Sequence, residues 1–142
     1  MKVIGQRIIE YLKSDSTLVS LLGSARNIFA RGLNEPDNRP AKYICIETSP
    51  GADLNYASGQ NDDVDIEIGV SRKITNSFSA MMQIMERVDD LINKGETGLS
   101  NTYWKVAHIA RTDSPTRGVL VDDKSNEYYA VIRYEYILDE SS

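Results

Sequence analysis

Four carboxylates crowd one short run, Asp62-Asp63-Val64-Asp65-Ile66-Glu67. Such groups bind hard cations, or hold the metal of a nuclease when a lysine follows. Neither pattern is completed. A calcium loop counted from Asp63 would need Gly where Ile68 stands and Glu where Ile74 stands. A restriction-type nuclease places an acid two residues before a lysine on a strand, but Glu67 leads into Ile68-Gly69 and Glu47 into Thr48-Ser49. The cluster also lacks the His or Cys companions that tighter metals select. It reads as a charged surface, with no metal site and no cofactor. His108 is the only histidine. It shares a strand with Trp104, Val106 and Ala110, and no serine or cysteine sits in a nucleophile elbow, so the imidazole reads as structural. Cys45 lies inside the apolar run Tyr43–Ile46 and reads as a buried, inert thiol. Gly95-Glu-Thr-Gly98 is a helix cap and turn, and a phosphate loop is absent. No set of residues supports an enzyme.

These side chains are positioned by a regular order of elements. Val64, Ile66, Ile68 and Val70 alternate with Asp63, Asp65, Glu67 and Gly69. That is a half-buried strand, with three carboxylates about 6.6–6.8 Å apart on the face away from the core. A helix over 76–93 follows, with Thr75 or Asn76 as N-cap, Lys94-Gly95 as its end and a stripe of Phe78, Met81, Met82, Met85, Val88 and Ile92. Earlier, Val3, Ile4, Ile8, Tyr11 and Leu12 form a helical stripe. A second short helix is capped by Asp15 or Ser16, carries Leu18, Leu21 and Leu22, and ends at Gly23. Strands are expected at 28–31, 43–48, 102–111 and 127–138, with a small one within Gly118–Val121. The last strand, with Tyr128, Tyr129, Tyr134 and Tyr136, is apolar on both faces, as a central or subunit-docked strand would be. The order α-α-β-β-β-α-β-β predicts an α+β fold, a mostly antiparallel sheet covered on one face by helices. The Gly- and Asn-bearing connection 49–61 is long for a hairpin. Its residues Asp53, Leu54, Asn55 and Tyr56 are therefore assigned to subunit contacts.

At 142 residues with 41% hydrophobic and 26% charged side chains, the chain suits one folded domain over 1–142, its last few residues a solvated tail. No stretch approaches the ~20 apolar residues of a membrane span, and the first residues lack a signal-peptide core, so a reducing, soluble compartment is expected. The net charge of −5 is uneven, with a basic front and an acidic middle over 34–70. Tight nucleic-acid binding needs the opposite balance.

Taken in order, Leu18-Val-Ser-Leu-Leu-Gly23, Ile28-Phe-Ala30, Arg39-Pro-Ala-Lys-Tyr-Ile-Cys-Ile-Glu47 and Val64-Asp-Ile-Glu-Ile-Gly-Val70 feeding helix 78–92 resemble the tail-completion, or tail-terminator, family of tailed bacteriophages and phage-tail-like particles. The chain departs from the family's common form at Gly69-Val70, where a bulkier or aromatic residue is expected, and in the long 112–126 segment. The resemblance implies a structural virion protein, assembled in the host cytoplasm. It would form a ring of typically six copies at the head-proximal end of the tail tube, end tube polymerisation and join tail to head. Its partners would be its own copies, the tail tube protein and head-completion or neck proteins, with no membrane. Asp63, Asp65 and Glu67, repeated around a ring, would face the lumen and repel passing DNA without binding it. The alternatives are a head-to-tail neck component and a non-viral acidic adaptor domain.

Overall fold

A computed structural model describes residues 3–32, 35–50, 59–93, 104–111 and 119–140. Helix α1 (Val3–Lys13) and helix α2 (Ser16–Leu22) lead through a 3₁₀ turn into β1 (Ile28–Ala30), β2 (Lys42–Pro50) and β3 (Gly59–Ser71). Helix α3 (Ser77–Asn93), β4 (Trp104–Arg111), β5 (Leu120–Asp122) and β6 (Glu127–Glu140) complete the order. The fold is α+β. One sheet runs β1-β2-β3-β6-β4, antiparallel except for the parallel β1–β2 pair, with β5 added to the edge of β6.

The start of α2 shows how locally the chain is specified. Asp15 accepts from Leu18 N–H at 2.8 Å, the N-cap bond that relieves one orphan donor of the first turn. At the other end Gly23 takes φ +90° and donates to Val19 O, while Lys42 Nζ and Asn27 Nδ2 donate to Leu21 O and Leu22 O. The carbonyls left open by the helix end are thus satisfied.

The period-two strand buries its apolar side completely. Val64, Ile66, Ile68 and Val70 join one cluster with Ile44, Ile46, Ala130, Ile132 and Tyr134, and all three helices bring side chains to it, including Ile8, Leu12, Leu18 and Val88. Each such aliphatic side chain contributes about 1.5–3 kcal/mol. Tyr134 is fully buried, and its hydroxyl reaches Asp89 on α3 at 2.8 Å, which satisfies the polar tip.

Helix α3 is rotated from the expected stripe. Met81, Ile84, Val88, Leu91 and Ile92 are buried and Met85 partly so, while Phe78 and Met82 are exposed. The core takes the 81-84-88-91/92 spacing. The connection between β2 and β3 is also shorter than expected. The ladder continues through Ser49↔Asp63 and Pro50↔Asp62, and β3 already pairs with β6 at Gly59↔Asp139, so only 51–58 remain between the strands. Pairing of β3 on both sides outweighs the loop-like composition. Asp53, Leu54, Asn55 and Tyr56 fall there, outside the described residues, as does the expected helix end at Lys94-Gly95. The small strand forms at Leu120–Asp122, and β6 is central, flanked by β3 on one side and by β4 and β5 on the other. The face expected for His108 lies outside the described side chains, and the β4 ladder shifts register between Val106 and His108.

Candidate assembly face

The alternation that buries Val64, Ile66 and Ile68 turns Asp65, Glu67 and Gly69 to the opposite face of the sheet. Register sets them in rows with the strands on either side. Glu47, Asp65 and Arg133 stand in one row, Cys45, Glu67 and Val131 in the next, and Tyr43, Gly69 and Tyr129 in a third. Phe29 pairs with Cys45 from β1, and Arg31, just beyond β1, donates its N–H to Ile46 O.

The carboxylates here are neutralised one by one. Arg133 grips Asp65 with two hydrogen bonds, Nε at 2.7 Å and Nη2 at 3.0 Å. Arg31 Nη2 donates to Glu67 at 2.8 Å, with Nε 3.4 Å from Glu47. The Asp65 and Glu67 side chains are 22% and 19% exposed, so these are partly screened, forked contacts. The row of acids expected from the strand is met by arginines at these two positions: Arg133 stands directly across from Asp65, where opposite charges attract, while Arg31 reaches Glu67 from just beyond β1, two strands away. The side chain of Asp63 lies outside the described set, and register places it opposite Ser49 and Glu135.

Behind the ion pairs lies a small second core of Phe29, Tyr43 and Cys45, stacked with ring centroids of Phe29 and Tyr43 5.9 Å apart. Burial pushes the Cys45 thiol up to about 11, which keeps it protonated and unreactive. Tyr43 is 1% exposed and lies across Gly69 on the neighbouring strand. A Cβ on Gly69 would overlap the ring, so the glycine at this position makes room for a tyrosine from the next strand. The departure from the family's bulky residue at Gly69 therefore has a local cause.

Crossing Gly69 brings the Tyr43 hydroxyl to Glu127 on β6, to which it donates at 3.1 Å. Arg39, from the β1–β2 crossover, donates to the Tyr43 oxygen at 2.9 Å and to Glu127 at 3.2 Å, and its guanidinium lies 5.3 Å from the Tyr43 ring centre. Glu127 is a buried carboxylate, 7% exposed, answered by one cation and one hydroxyl. Burial, with the negative charges of Glu67 and Glu127, drives the Tyr43 phenol well above its ordinary range. The clip spans three strands and ties the crossover to the sheet.

Among the described residues, no three His, Cys, Asp or Glu gather as metal ligands would, and no helix is long and apolar enough to cross a membrane. What this face offers is ion pairing and packing. Sequence reasoning missed Arg31, Arg39, Arg133, Tyr43 and Glu127 as a connected set. Each falls in or beside a readable strand, but which acid meets which arginine depends on register, and that is a property of the assembled sheet.

The fold and this face define a single-sheet α+β protein whose polar face is held by paired charges. Protein-family models and curated proteins yield no match to the chain. Among solved structures it is similar to a chain of the "Virion of native gene transfer agent (GTA) particle", with a TM-score of 0.68 and 12% identity, over 94% of this chain and 92% of that chain. At that identity the likeness is one of fold.

Proposed function

We propose that this chain is a structural protein of a phage-like virion, and within it a tail-completion subunit that forms a ring at the head-proximal end of the tail tube. The observation that carries the reading is the correspondence of fold over nearly the whole of both chains with a component of a virion particle. The order of sequence signals around Leu18–Gly23, Arg39–Glu47 and Val64–Val70 points the same way. Copies of this subunit, six in number by analogy with the tail-terminator family it resembles, would cap the tube and present a surface to head-completion or neck proteins. No catalytic step is part of the role.

The lumen-facing assignment of Asp63, Asp65 and Glu67 takes a changed physical form. Because Arg133 and Arg31 already balance Asp65 and Glu67, these two would give a DNA-facing wall little net charge. Repulsion would rest on Asp63 and the row it shares with Glu135. Removing the chain from the producing cell tests the role. Tails of uncontrolled length and heads without tails are the expected products. Tails of normal length joined to heads would refute the completion role, and particles purified from the unmodified cell that prove to lack the chain would refute the virion role.

A further inference from the structure

We infer that residues 35–41 form a strap on the polar face, latched to the sheet by Arg39, and that releasing this latch exposes Cys45 while the sheet stays folded. Phe29, Tyr43 and Cys45 make a buried cluster of their own, apart from the main core on the other side of the sheet. The strap reads Glu35-Pro-Asp-Asn-Arg-Pro-Ala41, and none of its side chains belongs to either buried cluster. Its polar ties are few. At one end Glu35 accepts from Gly32 N–H at 3.0 Å, and at the other Ala41 O accepts from Ser71 N–H at 2.7 Å, where β2 begins. Between them, among the described residues, Arg39 is the one that hydrogen-bonds to the sheet, through Tyr43 and Glu127, while Asp37 and Asn38 stand exposed. The charges that act on the Cys45 thiol include Arg31, Glu67, Glu35 and Arg39, so the start of the strap and its latch both lie close to the sulfur.

The latch holds firmly when shut and is readily solvated when open. Shut, the Glu127 side chain is 9% exposed and takes its cation from Arg39, whose guanidinium also covers the Tyr43 ring. Arg39 itself is 43% exposed, so its outer side already faces water. Lifting the strap gives water to the arginine, the Glu127 carboxylate and the Tyr43 hydroxyl together, and no charge is left buried without a partner. The main core contains no strap residue and keeps its packing. An opening that bares so little apolar surface lies well below global unfolding in free energy. Taking Arg39 away with the strap still down is different, because Glu127 then stays buried without a cation and the open form is favoured. None of this depends on the virion reading, and the isolated chain suffices to test it.

N-ethylmaleimide, a small neutral reagent, is used to label Cys45 in the full chain, while hydrogen exchange follows the amides of β3 and β6 at the centre of the sheet. Arg39→Ala should speed labelling by about tenfold or more, since the closed form alone loses a hydrogen bond to a charged group. Adding Glu127→Gln to that variant should reverse most of the gain, because no unpaired charge is then buried when the strap is down. Val88→Ala, in the main core, should speed exchange at the centre of the sheet yet leave labelling within about twofold of the unaltered chain, since Val88 stays packed in the open form. Labelling that rises in step with central exchange in Val88→Ala means that Cys45 is reached only by global unfolding, and overturns the strap. A labelling rate that Arg39→Ala leaves unchanged, or that Glu127→Gln fails to slow, overturns the latch. Should Arg39→Ala not fold, the Val88→Ala comparison decides.

Discussion

Gly69→Ala sets one methyl against the Tyr43 ring, and its cost can be worked from the contacts around that ring. The ring atoms that an added Cβ would meet are Cε1, Cζ and the hydroxyl, all belonging to a side chain that is 1% exposed. The chain must either spread β2 from β3 or swing the ring off Gly69. Overpacking of a filled site costs about 1–3 kcal/mol. Swinging the ring breaks the hydroxyl's contacts with Arg39 and Glu127, and hydrogen bonds to charged groups carry about 1.5–3 kcal/mol each. Alanine's better fit to an extended backbone returns about 0.5–1 kcal/mol. The expected net loss is roughly 2–3 kcal/mol, or a melting temperature lower by about 10 °C in a domain of this size. Urea titration followed by the single tryptophan, Trp104, measures it. The decisive arm is Tyr43→Val, which keeps a strand-favouring residue but has no ring to collide with. In that background Gly69→Ala should cost about zero, so the two changes couple by about 2 kcal/mol or more. Equal cost in both backgrounds, or coupling below about 0.5 kcal/mol, would refute the reasoning.

Ile84→Asp, at a fully buried position of α3, should destabilise by several kcal/mol, whereas Met82→Asp on the exposed side should cost less than about 1 kcal/mol; matched denaturant titrations check the rotation of the helix. Asp15 caps α2 and is held by two hydrogen bonds from Arg87 at 2.9 and 2.6 Å, and the Arg87 bonds hold its carboxyl below the ordinary value of 3.8. The unfolded chain therefore takes up the proton first. Stability from this group is fully present above the unfolded value and is lost as pH falls through the folded one, so Asp15→Asn should flatten the decline of melting temperature below about pH 4.5. Cys45, with its thiol raised to about 11, should resist an aromatic disulfide reagent at pH 8 in the native protein and react promptly in denaturant; prompt native reaction would contradict its burial.

Elements whose signals are local were legible in the sequence. Asp15 and Gly23 bound α2 because a cap and a left-handed glycine act within one turn, and the Val64–Val70 alternation marks a strand wherever it lies. The rotation of α3 was not, since Phe78 and Ile84 are equally apolar and only the packed sheet selects between them. Nor was the length of the β2–β3 hairpin, where Gly59, Gln60 and Asn61 are drawn into a ladder by β6 against their own preference. The polar face shows the same division. The acids announce themselves at period two, while their neutralisation by Arg31 and Arg133 depends on partners far apart in the chain.

The centre of the sheet, β3 against β6, joins residues that are made far apart in time. Their partners lie 56 to 80 positions apart, from Ser71↔Glu127 to Gly59↔Asp139, and α3, β4 and β5 all emerge between them. At a synthesis rate of about 5–20 residues per second, β3 waits several seconds with one edge open and its Val64–Val70 face uncovered on that side. A nascent chain in that interval is an adhesive strand. Rapid overproduction should therefore send much of the protein into aggregates, and slowing translation or lowering temperature should recover soluble subunits without any change of sequence.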